Sequence, residues 1–172
     1  MFGLFKTKRG EDQILDDTFG AIGPVLPELV ELIEFVNEGE KVKPYEIGIF
    51  ISSIVTLKIL LFKKHNPPVL ADKFNGIWLE MLEQNPMEEA PVGRDAILTS
   101  MQRNFPFYKN LFEELVKGEA GANPESNPGV LLAWHVFSEA TGKQKPQDFL
   151  KLVFATTKLN EFIATIFSAA HE

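Results

Sequence analysis

The chain has 172 residues, enough for one domain whose core needs no metal or disulfide staple. It contains no cysteine, which excludes a disulfide framework, thiolate zinc sites and cysteine nucleophiles. Nine acidic and no basic residues fall between Glu11 and Glu40, so the net charge of −7 is concentrated in that stretch, and nucleic-acid binding, which needs clustered Lys and Arg, is disfavoured.

The opening Met1-Phe2-Gly3-Leu4-Phe5-Lys6-Thr7-Lys8-Arg9 is basic and lacks the long apolar run of a secretory signal. Phe2 stands where N-myristoylation needs Gly, so residues 1–10 are expected to form a flexible basic terminus. Thereafter Gly and Pro clusters at 20–27, 39–44, 67–68, 86–93, 118–129 and 142–146 delimit segments with helical periodicity. Their spacing predicts an all-α bundle of five to seven helices in a single domain spanning 1–172.

A short helical piece is predicted near Glu11–Phe19, then a helix over Val25–Glu38 with Pro27 in its first turn and Gly39 as its C-cap. On a helical wheel Leu26, Leu29, Val30, Ile33 and Val36 face inward. Glu31, Glu34 and Glu38 lie opposite, solvated, with Glu28 beside them and Phe35 among them. An aromatic ringed by like charges has the form of a binding hot spot with a steering field. The competing expectation is that Phe35 packs on the Ile14–Phe19 piece.

The next segment, Pro44–Lys64, is rich in β-branched residues but too long for an ordinary strand, so a central, nearly all-apolar second helix is expected. Its apolar run, Ile47–Phe62, carries Lys58 and is shorter than the roughly 20 residues a bilayer requires, so no transmembrane insertion is expected. Gly48, Ser52 and Thr56 recur every fourth residue and form a strip where a neighbour can approach closely. Lys58 points away from that strip, toward water or a buried carboxylate.

Pro67 and Pro68 open a third helix, closed by Asn85-Pro86, with Leu70, Phe74, Ile77, Trp78, Met81 and Leu82 as its inward stripe. A fourth, Arg94–Lys117, turns Ile97, Leu98, Met101, Phe105, Phe112 and Leu115 inward, with a kink or break expected near Pro106. Asn127-Pro128 reads as N-cap and first residue of a fifth helix ending at Gly142. The last runs from about Pro146 to Ala169, with Phe149, Val153, Leu159, Phe162, Ile163 and Ile166 at helical spacing.

Chemical motifs are sparse. There is no Glu-x-x-His, His-Glu-x-x-His, EF-hand loop, Gly-x-Gly-x-x-Gly or Gly-x-Ser-x-Gly. Gly142-Lys143 lacks the first Gly and the Ser or Thr of a phosphate loop. His135 and Glu139 share a helical face but are too few for a metal site, so a hydrogen-bonded histidine is expected. His65 suits a helix C-terminus, and His171 lies one residue from the end. The carboxylate pairs 16–17, 88–89 and 113–114 read as solvated surface, and the loop 118–129 as a connector.

These residues lead to a non-enzymatic adaptor or immunity-type protein, cytoplasmic, with no catalytic residue, metal or cofactor assigned. Its acidic face would meet a basic protein partner through Glu28, Glu31, Glu34, Phe35 and Glu38. The alternative is a small-molecule or lipid binder, or an enzyme, with an apolar pocket lined by some of the 15 Phe.

Overall fold

The computed structural model describes residues 10–61, 66–117 and 127–168. The basic terminus, His65, His171 and most of the 118–129 loop lie outside them. The described residues form seven helices and no strand: α1 (Glu11–Ile22), α2 (Val25–Val36), α3 (Pro44–Leu61), α4 (Pro67–Glu83), α5 (Arg94–Lys117), α6 (Pro128–Thr141) and α7 (Phe149–Ser168).

Length decides the fate of the β-branched segment. α3 is a helix with almost no polar face, buried from Glu46 through Leu57, and it touches α2, α4, α5, α6 and α7. A helix that is apolar all round must be covered on all sides, and here the other helices cover it. It is the one helix among the described residues long and apolar enough to cross a membrane, and 78% of it is buried inside the chain. Its serine hydroxyls are satisfied locally: Ser52 Oγ and Ser53 Oγ donate to the Ile49 carbonyl at 3.0 and 2.8 Å. Lys58 is half-buried, and removal from water lowers its pKa.

The Gly48–Ser52–Thr56 strip is where α4 docks. Trp78 Nε1 donates to the Gly48 carbonyl at 2.9 Å, and Thr56 Oγ1 donates to Asn75 Oδ1 at 3.0 Å. A Cβ on Gly48 would lie 2.4 Å from Leu82 Cδ2. A larger residue at this position would have to push the buried Leu82 side chain aside.

α4 is rotated from its expected phase, and α7 buries only part of its regularly spaced apolar set. In α4 the buried set is Leu70, Ala71, Phe74, Trp78, Leu79 and Leu82. Ile77 and Met81, expected inward, are 43% and 46% exposed. The buried arc centres on Trp78 because α3 lies on one side of it and Phe19 of α1 stacks on Phe74 and Trp78 from another. In α7 Leu152, Ala155, Thr156, Leu159, Phe162, Ile163 and Ile166 are buried. Phe149 and Val153, which share the helical spacing of the buried set, are exposed at the flank of that arc. α7 begins at Phe149 rather than Pro146, with Asp148 Oδ1 accepting from Leu150 N at 2.9 Å.

α5 runs unbroken through Pro106, contrary to a break there. Pro106 and Gln102 both lie on the exposed side, where water can reach the carbonyl that proline leaves without a donor. α6 follows its caps: Asn127 Oδ1 accepts from Gly129 N at 2.9 Å, and Gly142 closes the helix at φ 73°.

Candidate functional site

The face predicted from the acidic segment is built by α2 and the start of α7. α2 buries Leu29, Val30, Ile33 and Val36, which turns Glu28, Glu31 and Phe35 outward. The helix ends at Val36 with Gly39 N donating to the Glu34 carbonyl at 2.8 Å, the 6→1 bond of a Schellman closure. That places Glu38 in the left-handed region at φ 61°, the position where glycine is usual. Glu38 is therefore on an exposed turn and not on the helix itself.

Of the five predicted residues, Glu28, Glu31, Phe35 and Glu38 are exposed. Glu34 is not solvated as expected: its side chain is only 21% exposed and pairs with Lys41 at 3.2 Å. Its wheel position lies at the flank of the α2 arc, close enough to the core to lose water. Phe35 does not pack on α1. It is 51% exposed and meets Phe154 of α7 edge-on, with ring centroids 6.3 Å apart. Lys151 Nζ stands 5.0 Å from the Phe35 centroid.

Phe154 brings further apolar surface that the sequence reading missed. Leu150 is 77% and Phe154 51% exposed, one helical turn apart, with Val153 and Phe149 on their flank. Leu150 and Phe154 fall opposite the arc set by Leu152, Ala155, Leu159 and Phe162. Setting the α7 phase by the longest regular run would have exposed them. The result is an exposed apolar surface of Phe35 and Phe154, continued by Leu150 one turn earlier on α7, beside exposed Glu28, Glu31 and Glu38.

A second polar grouping lies under the start of α3, between α5 and α6. Glu46 is 4% exposed and accepts from Ser100 Oγ at 2.6 Å. Arg103 bridges two carboxylates, pairing directly with Glu139 and standing 3.9 Å from Glu46. Asn104 Nδ2 donates to Ser100 Oγ at 3.1 Å and to Glu139 Oε2 at 3.2 Å. That leaves Asn104 Oδ1 as acceptor, so His135 donates through Nε2 at 3.1 Å while its ring stacks on Phe107. Tyr45 N, in turn, donates to Glu88.

Burial sets the electrostatics of this grouping. It raises the Glu46 pKa, against the hydrogen bonds from Ser100 and Tyr45 that favour the carboxylate. It lowers that of His135, with Glu139 pulling the other way. Tyr45 is pushed up to about 12 by burial and then by Glu46. Tyr108 is wholly buried, its hydroxyl has no hydrogen-bond partner among the described residues, and its pKa is raised well above normal by burial and by Glu46 and Glu139.

The arrangement ties α3, α5 and α6 together. His135 is a hydrogen-bonded histidine, and among the described residues no group of three or more His, Asp or Glu could hold a metal. A third feature is an open groove of about 440 Å³ between the end of α3 and α5, lined by apolar Leu57, Leu60, Leu61, Phe105 and Phe112 and by charged Lys109, Glu113 and Lys117.

No family model matches the sequence, and neither the curated proteins nor the solved structures contain a match.

Proposed function

We propose that the chain is a non-enzymatic interaction protein that binds a basic partner on the α2–α7 face. The observation that carries the reading is the exposed apolar surface of Phe35, Phe154 and Leu150 next to three exposed glutamates. Contiguous apolar surface costs free energy in water, and such patches mark binding sites more often than scattered exposed residues do. The glutamates add a negative field that speeds capture of a cation and fixes its orientation.

The test uses an amphipathic helical peptide with one leucine stripe and one arginine stripe, and a control in which glutamate replaces arginine. Binding of the arginine peptide, with association slowed by raised salt and by the triple variant Glu28→Gln, Glu31→Gln, Glu38→Gln, is the expected result. Equal binding of both peptides, or a triple variant that associates as fast as the parent chain, refutes the reading.

A second reading, a lipid or small apolar ligand binder, is favoured by the groove of Leu57, Leu60, Leu61, Phe105 and Phe112. Its test is saturable binding of a fluorescent fatty acid that Leu61→Arg, at an exposed position of the groove, abolishes. Non-saturable partition removes it.

A further inference from the structure

Lys151 stands where it should be least comfortable. It is the third residue of α7, in the first turn, where the unpaired N–H groups of the helix repel a cation. Two carboxylates, Glu28 and Glu31, lie exposed on the same side of α2 as Phe35. Yet among the described residues no carboxylate pairs with Lys151, and its ammonium is set over the Phe35 ring at 5.0 Å from the centroid. Phe154 meets the Phe35 ring edge-on, an arrangement that leaves a ring face to accept a cation.

The geometry points to Lys151 as an internal stand-in for an arginine of the partner, which displaces it from Phe35 when the complex forms. This rests on the reading of the α2–α7 face given above and names the anchor that the face recognises. A guanidinium fits the site better than an ammonium does. It is planar, stacks on an aromatic ring, and is more weakly hydrated, so it gives up less water on contact. Its remaining N–H groups can then reach carboxylate oxygens, and Glu31, one turn before Phe35 on α2, is placed to accept them. Displaced Lys151 swings into water on its flexible stem. Binding thus exchanges a contact within the chain for a stronger one between chains, and Lys151 tempers affinity for weaker cations.

The test is a double-mutant cycle on Lys151→Met and Phe35→Leu with the leucine–arginine peptide used above. Methionine keeps the stem and removes the charge, and leucine keeps apolar bulk and removes the ring. Lys151→Met is expected to tighten binding by about two- to fivefold, the worth of one exposed cation–π contact. That gain should vanish in the Phe35→Leu background, and a lysine version of the peptide should bind the parent chain less tightly than the arginine version.

Loss of a competing positive charge would by itself tighten binding to any cation, but equally with or without the ring. A gain that persists in Phe35→Leu, or no gain at all, overturns the stand-in role while leaving the acidic-face reading in place. An arginine peptide that does not bind the parent chain overturns both.

Discussion

Phe35→Ala separates a docking residue from a core residue without any partner in hand. With 51% of Phe35 exposed, about half of its side-chain burial is at stake. Full burial of a Phe stabilises by roughly 1.5–3 kcal/mol, so the transfer loss is about 1 kcal/mol. The edge contact with Phe154 adds roughly 0.5 kcal/mol or more. Alanine returns about 0.5 kcal/mol through its higher helix propensity. No cavity forms, because the site opens to water.

The net expectation is a destabilisation of about 1 kcal/mol, a Tm decrease of roughly 2–4 °C in a chain of this size. Phe74→Ala serves as the internal standard. Phe74 is fully buried and stacked on Phe19 and Trp78, so its loss should cost about 3–5 kcal/mol. Paired thermal and urea melts followed by circular dichroism give both numbers. If Phe35→Ala falls as far as Phe74→Ala, Phe35 is a core residue and the docking face loses its centre.

Three further outcomes are expected. Gly48→Ala should destabilise by about 1–2 kcal/mol, because its Cβ would meet Leu82 Cδ2 at 2.4 Å and overpacking outweighs the helix-propensity gain; adding Leu82→Ala to Gly48→Ala should cost less than Leu82→Ala alone in urea melts. Glu38→Gly should stabilise by about 0.5–1 kcal/mol, since glycine adopts φ 61° without strain, and an unchanged melt would refute that. His135, its folded pKa depressed by burial below the usual 6.5, contributes stability that is present above that value and lost as pH falls through the folded pKa. Glu46, its pKa raised by burial, has the opposite sign: its contribution is present below 4.5 and lost as pH rises. His135→Gln should therefore flatten the decline of urea midpoints between about pH 7 and 5, and a decline as steep as the parent's would exclude His135 as its source.

The helices were legible because breakers and periodicity agree. Pro67-Pro68, Asn127-Pro128 and Gly142 mark ends that backbone chemistry enforces wherever the helix packs. α3 was legible for the same reason, since its β-branched content expresses a weak preference and its length a strong constraint. Rotational phase was harder. Ile77, Met81, Phe149 and Val153 are apolar and correctly spaced, but a stripe wider than one helix can bury has two possible centres. Which is chosen depends on neighbours distant in sequence, as Phe19 does for α4.

The same dependence governs the candidate site. Glu28, Glu31 and Phe35 could be placed on one outward face because a single helix determines it. Leu150 and Phe154 could not be joined to them, since nothing local says that the first turn of α7 lies beside the end of α2. The grouping of Glu46, Ser100, Arg103, Asn104, His135 and Glu139 draws on three helices. Only His135 and Glu139, one turn apart, leave a trace in the sequence. Its burial is intelligible in retrospect. With Ser100 donating to Glu46 and Arg103 and Asn104 to Glu139, the carboxylates lose water without losing partners, the condition under which charge is tolerated inside a fold. The α2–α7 face is the reverse case, apolar side chains left in water beside glutamates that keep their hydration. A partner bringing both apolar surface and cationic donors would relieve the first and match the second.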